Sequence, residues 1–198
     1  SEYVYFAGAR MPHPSTHTHT IAVAELQVQL TEWTRTTTYS AEFFYGGELQ
    51  TSGGIIPDAT VLLHKADKTG LFYFEIDNGT MPVTSALGYA LEKKLRLYAT
   101  HFDSEGFTRD LPWVPGLRGF HVCLVVTSGR VRHVQHLVGH EQHDFVLITT
   151  FEQLKGGLGA PVWLTHDNRT VDLLGRQGDV LGEVIGETVE DSCPTMLT

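Results

Sequence analysis

Three acids stand in segments that otherwise read as buried. Asp58 opens the apolar run IPDATVLLHK, and Glu75 and Asp77 interrupt the end of LFYFEID. Alternate residues of a β-strand face the same side, about 6.6 Å apart along it. Glu75 and Asp77 therefore share a face if the second run is a strand. Asp58 belongs to the preceding run, joined by the short turn ADKTG, and can sit beside them. Carboxylates this close repel one another in a low-dielectric site. The remedies are protonation, cationic partners or a bound divalent metal. Oxygen ligands on rigid strands suit Mg²⁺ or Mn²⁺, the ions of phosphoryl chemistry. A plainer local reading makes Asp58 a strand or turn cap and Asp77-Asn78-Gly79 an Asx-type turn. Glu75, wedged between Phe74 and Ile76, needs a partner under either reading.

Cations for such a site come from KKLRLYATHF. Lys94 and Tyr98 are four apart, about 6 Å along one face of a helix. The competing reading is a solvated face of Lys93, Lys94 and Arg96. His19, Glu25 and Glu42 are further candidates, Glu42 from a strand next to that of Asp58. Two histidine groups also stand out, HPSTHTH (His13, His17, His19) and RHVQHLVGHEQH (His133, His136, His140, His143). His136 and His140 have a chelating i, i+4 spacing, but no HExxH motif or cysteine set accompanies them. With Arg130 and Arg132 they read instead as an exposed or phosphate-facing surface. There is no nucleophile elbow of the Gly-x-Ser-x-Gly type, and GGLG lacks the setting of a phosphate loop.

The elements that must hold these residues follow from periodicity and punctuation. A helix is predicted from about Thr18 to Trp33. Strands follow in TTTYSAEFFYGGEL, IPDATVLLHK and LFYFEID. PVTSALGYALEKKLRLYATHF reads as one long helix with Pro82 in its first turn. FHVCLVV is an apolar strand covered on both faces, GRVRHVQHLVGHEQ a helix and DFVLITT another buried strand. LKGGLGAP marks the end of the compact part, with one further strand, VWLT, and a loosely held Gly- and acid-rich tail. The order indicates an α/β fold with a mixed central sheet flanked by helices.

Composition sets limits. The 198 residues suit one domain, and 41% hydrophobic content supports a core. No apolar run approaches the length of a membrane span, and the opening SEYVYFAGARMPHPS has no secretory-signal pattern. Two cysteines, Cys123 and Cys193, fit a reduced, cytoplasmic protein. The net charge of −9 excludes nucleic-acid binding through overall charge. A nucleic-acid role then needs a local basic strip, a metal or a separate binding module.

Pro57-Asp58 followed by a strand bearing Glu75-x-Asp77 resembles the PD-(D/E)xK nuclease superfamily. More narrowly, THTHTIAVAEL, AEFFYGGEL, IIPDATVLL, FEIDNGT and KKLRLYATHF resemble the plasmid replication-relaxation family, from about Tyr3 to Trp163. The resemblance implies a restriction-endonuclease-like fold, an αβββαβ core plus an αβ unit. It also implies a nuclease-like domain over 1–160, with 161–198 as a partly flexible extension. The chain departs from the superfamily where a catalytic lysine is expected, two residues after Glu75, because Asp77 stands there. Lys94 and Tyr98 match in spacing a Gln-x-x-x-Tyr element of one branch, which makes Lys94 a relocated lysine. His19 matches a family histidine.

The expectation is a metal-dependent DNA nuclease, nicking or cleaving DNA in replication or mobilisation of a plasmid or other mobile element. Asp58, Glu75, Asp77, Lys94 and Tyr98 are its catalytic residues. Asp58, Glu75, Asp77, Glu42 and His19 would hold Mg²⁺ or Mn²⁺. The partner is DNA, with the winged-helix module that usually precedes this family's domain supplied separately, and a homodimer is open. The missing lysine equally admits a non-catalytic DNA-binding or regulatory module on the same fold. A third possibility is an assembly protein that makes contacts through its tail.

Overall fold

The computed structural model describes residues 14–49, 51–79, 82–84 and 90–175. The tail beyond 175, and with it Cys193, lies outside the described residues. The chain opens with helix α1 (Pro14–Arg35), then strands β1 (Ser40–Tyr45), β2 (Ala59–Lys65) and β3 (Lys68–Asp77). Helices α2 (Leu91–Asp103) and α3 (Gly106–Asp110) lead to β4 (Phe120–Val126). A 3₁₀ turn (Ser128–Arg130) runs into α4 (Val131–His140), followed by β5 (Val146–Thr150), α5 (Phe151–Leu154), β6 (Trp163–Leu164) and β7 (Thr170–Val171).

All seven strands form one sheet in sequence order. β1–β2 and β2–β3 are antiparallel, β3–β4 and β4–β5 parallel, and β5–β6–β7 antiparallel again. The mixed sheet anticipated from the element order is therefore present, flanked by helices on both faces. β3 and β4 are nearly uniform apolar runs because they lie centrally, with a helix layer on either side. One face packs Leu62, Leu71, Tyr73 and Leu124 against Leu91, Leu95 and Tyr98 of α2 and Val134, Leu137 and Val138 of α4. The other packs Val61, Phe72, Phe74, Cys123 and Leu147 against Val23, Leu26 and Leu30 of α1.

Two boundaries differ from the sequence reading. The long helix expected from Pro82 begins only at Leu91. The carbonyls of Pro82 and Val83 instead accept the first amides of α2, from Leu91 and Glu92, at 3.1 and 3.0 Å. The segment thus turns back over the helix start and satisfies donors that a helix otherwise leaves open. The sheet also continues beyond Pro161. β6 and β7 extend it past β5, and Trp163 is fully buried, its indole N–H donating to the Leu158 carbonyl at 3.2 Å. No helix among the described residues is long and apolar enough to cross a membrane.

Candidate active site

The site gathers where β2 begins and β3 ends. Ala59 pairs with Phe74, and the amide of Asp58 donates to the Phe74 carbonyl at 3.0 Å, so Asp58 comes alongside Glu75. The Asp58 carboxylate is fixed on both oxygens. Oδ2 accepts the Ile76 amide at 2.7 Å, and Oδ1 lies 3.1 Å from His19 Nε2. His19 comes from the second turn of α1, so the acid ties helix and sheet together at this end. Asp58 and His19 remain partly open to solvent.

Glu75 faces the other way along the same site, into α2. Its Oε2 is held by the Lys94 ammonium, and its Oε1 accepts from the Tyr98 hydroxyl at 2.5 Å. Lys94 and Tyr98 fall on one helix face because they are four residues apart. Glu75, Lys94 and Tyr98 are 5%, 7% and 0% exposed. These values argue against the solvated-face reading for Lys94, since charges are taken this deep only when paired. Five predicted residues, His19, Asp58, Glu75, Lys94 and Tyr98, are thus brought together.

Burial raises the Glu75 carboxyl to about 7. Lys94 opposes the rise and the Asp58 charge adds to it. The hydrogen bond to Asp58 raises the His19 imidazole. Burial, then Glu75, raises the Tyr98 phenol. For Glu75, unfolding restores an ordinary carboxyl near 4.5. The folded state therefore holds this proton to higher pH, and its contribution to stability is complete below 4.5 and lost as pH rises to about 7. Between pH 4.5 and 7.5 the wild type should lose on the order of 2–3 kcal/mol that Glu75→Gln does not lose, measured by urea unfolding across that range.

Asp77 shares the β3 face with Glu75, as the strand period requires, but not its partners. Its Oδ1 accepts from the Gly79 amide at 2.9 Å and pairs with Arg130 Nη1 at 3.1 Å. Its Oδ2 is buried and has no hydrogen-bond partner among the described residues. The Asx turn is therefore present, and a cation from the turn before α4 faces the acid. Glu42 also stands apart: it is exposed on β1 and pairs with His64 of β2 at 3.0 Å. The expected gathering of Asp58, Glu75, Asp77 and Glu42 at one point is corrected to Asp58 and Glu75, because Arg130 and His64 claim the other two acids. Arg130→Ala leaves Asp77 without its cation and should destabilise the protein by about 3 kcal/mol, read from denaturant midpoints.

One buried pair had no signal in the sequence. His101 Nε2 lies 3.3 Å from Asp110 Oδ2, both side chains almost fully buried. Both oxygens of Asp110 accept the Ser52 amide at 2.9 Å. The pair fastens the loop after β1, the loop that delivers Asp58, to the α2–α3 corner. His101 and Asp110 are nine residues apart across a helix junction, a separation without periodic meaning.

Among the described residues no three His, Cys, Asp or Glu side chains are grouped to hold a metal ion. The donor set therefore does not make a closed cage. It does offer two carboxylates, Asp58 and Glu75, close enough for the charge of one to shift the other. Mg²⁺ is commonly held in this way, by one or two carboxylates with water and substrate phosphate completing its shell. Asp58 and Glu75 supply donors of that type, with the Asp58 carboxylate partly open to solvent.

A mixed α/β sheet thus places two acids, a buried lysine and a tyrosine at the junction of β2, β3 and α2. The family model for replication-relaxation proteins matches residues 3–110. The chain belongs to the replication-relaxation family, which ties it to replication. The matched span contains His19, Asp58, Glu75, Lys94 and Tyr98, and ends before Arg130 and α4. No curated protein and no solved structure matches the chain significantly.

Proposed function

We propose that the domain is a divalent-metal-dependent DNA nuclease that nicks or cleaves a phosphodiester backbone during replication or mobilisation of a plasmid or other mobile element. One observation carries the reading. Lys94, four residues before Tyr98 and far in sequence from β3, places its ammonium on Glu75 and so supplies the positive group that Asp77 cannot. The order α1, β1, β2, β3, α2, β4 agrees with the restriction-endonuclease-like core implied by the sequence resemblance, with α3 inserted before β4.

Asp58 and Glu75 would hold Mg²⁺ or Mn²⁺, and the ion when bound supplies Lewis-acid activation of water and charge stabilisation at the leaving oxygen. The chain's own groups prepare the site. Tyr98 and Lys94 fix both Glu75 oxygens, which prevents the carboxylate from rotating. The Ile76 amide and His19 do the same for Asp58. The Lys94 ammonium provides a preorganised positive charge beside the acids, in a setting where water screens it little. The test is relaxation of supercoiled plasmid in Mg²⁺ by wild type, Asp58→Ala and Glu75→Ala. Activity in the wild type alone supports the reading, and an inactive wild type across metals and DNA forms counts against it.

A second reading, a non-catalytic DNA-binding or regulatory module, draws on a specific feature: both Glu75 oxygens are already engaged by Lys94 and Tyr98. Calorimetry showing no uptake of Mg²⁺ or Mn²⁺ at millimolar concentration, with or without DNA, would favour it.

A further inference from the structure

The histidine-rich helix plays no part in the site described above. In a chain of net charge −9, residues 128–140 (SGRVRHVQHLVGH) contain two arginines, three histidines and no acid. Arg132, His133, His136 and His140 are all exposed, whereas Val134, Leu137 and Val138 anchor α4 in the core. Arg132, His136 and His140 recur every four residues, about 6 Å apart, and form a ridge along the outer face of the helix.

The ridge stands between two clefts, and all three residues line both. One cleft, about 790 Å³, lies against α2 and also takes in His133, Val83 and Arg96. The other, about 520 Å³, lies against the β6–β7 turn and is bordered by Gln135, His166 and Asn168. The acids in the first cleft, Glu92 and Glu141, are both bridged by Arg96, at 2.9 and 3.5 Å, and Glu141 also lies 3.6 Å from His140 Nδ1. Among the described residues no acid pairs with Arg132.

The surface is also joined to the candidate active site. α4 begins directly after Arg130, whose guanidinium is bonded to Asp77, two residues along β3 from Glu75. Arg130 thus links the start of α4 to the strand that carries Glu75.

We propose that this face of α4 is the docking surface for a DNA backbone, its phosphates held by Arg132, His133, His136 and His140 and directed by the ridge toward the Asp58–Glu75 site. The inference rests on the reading of the domain as one that acts on DNA, and names the surface that does the holding. Charge complementarity selects the occupant. Phosphodiesters supply closely spaced anionic acceptors, and a predominantly acidic protein meets them through a local strip of arginine and imidazole hydrogen-bond donors.

The test measures affinity of the full chain for a fluorescent 20-base-pair duplex and the matching single strand over a series of salt concentrations. Arg132→Glu with His136→Glu should weaken binding at least tenfold at low salt. Arg132→Ala should lower the slope of log affinity against log salt by about one. Arg132→Lys should retain both, and Arg35→Ala, at the end of α1 on the opposite face of the sheet, should change neither. These side chains are exposed, so a circular-dichroism melt matching the wild type shows that loss is not unfolding.

A double variant that binds and nicks like the wild type overturns the docking surface while leaving the nuclease reading intact. A wild type that binds through this face but never cuts in Mg²⁺ leaves the surface intact and overturns the nuclease reading. A wild type without affinity for either DNA form overturns the docking surface.

Discussion

Asp58→Asn is expected to reduce DNA nicking by about two to three orders of magnitude while leaving the fold close to its original stability. The substitution is nearly isosteric. An asparagine carbonyl can still accept the Ile76 amide now bonded at 2.7 Å, and its amino group faces a His19 nitrogen now 3.1 Å from the acid. What disappears is the negative charge, which an Mg²⁺-type site requires. Asp58 is partly exposed, so no buried charge is left stranded. An urea midpoint within about 1 kcal/mol of the wild type, beside a lost activity, would assign the effect to chemistry and not to folding.

Lys94→Ala is expected to have the largest effect on stability. It removes the only cation paired with Glu75 among the described residues, at a depth where both side chains are almost fully buried. Breaking one half of a buried pair typically costs about 3–5 kcal/mol, because the remaining charge has lost its compensation. Here the loss depends on pH. Glu75 already titrates near 7 with Lys94 present, and without it the carboxyl is driven higher still. At pH 5 the acid takes up a proton and the penalty shrinks, whereas at pH 8 it is felt in full. Urea unfolding of the variant at the two pH values measures the difference. The double replacement Glu75→Leu with Lys94→Met should recover much of the stability lost in Lys94→Ala, since it leaves no charge behind.

Much of this arrangement was legible before any coordinates. An uninterrupted apolar run such as FHVCLVV has one economical explanation, a central strand covered on both sides. The i, i+4 spacing of Lys94 and Tyr98 places both on one helix face whatever surrounds it. Glu75, alone among bulky apolar neighbours, had to find a partner, and those two residues proved to be its partners.

The parts that were not legible depend on contacts distant in sequence or on very short elements. Asp77 lies on the expected face, but its direction is decided by Arg130, 53 residues later. Strand parity selects a face and cannot select among the groups lining it. The start of α2 was misplaced because Pro82 at a first helical turn and Pro82 in a segment folding back over that turn look alike in sequence. β6 falls within the predicted strand VWLT, but β7, two residues long, is too short to show any period. The His101–Asp110 pair depends on the relative placement of two helices, which no local pattern encodes.

The most direct measurement is the anomalous scattering of a crystal of the domain soaked with Mn²⁺ and a short DNA strand. The account predicts a peak within bonding distance of carboxylate oxygens of both Asp58 and Glu75, absent from Asp58→Asn crystals. A map without manganese at these two acids, or with the ion bound only to carboxylates elsewhere, would contradict it.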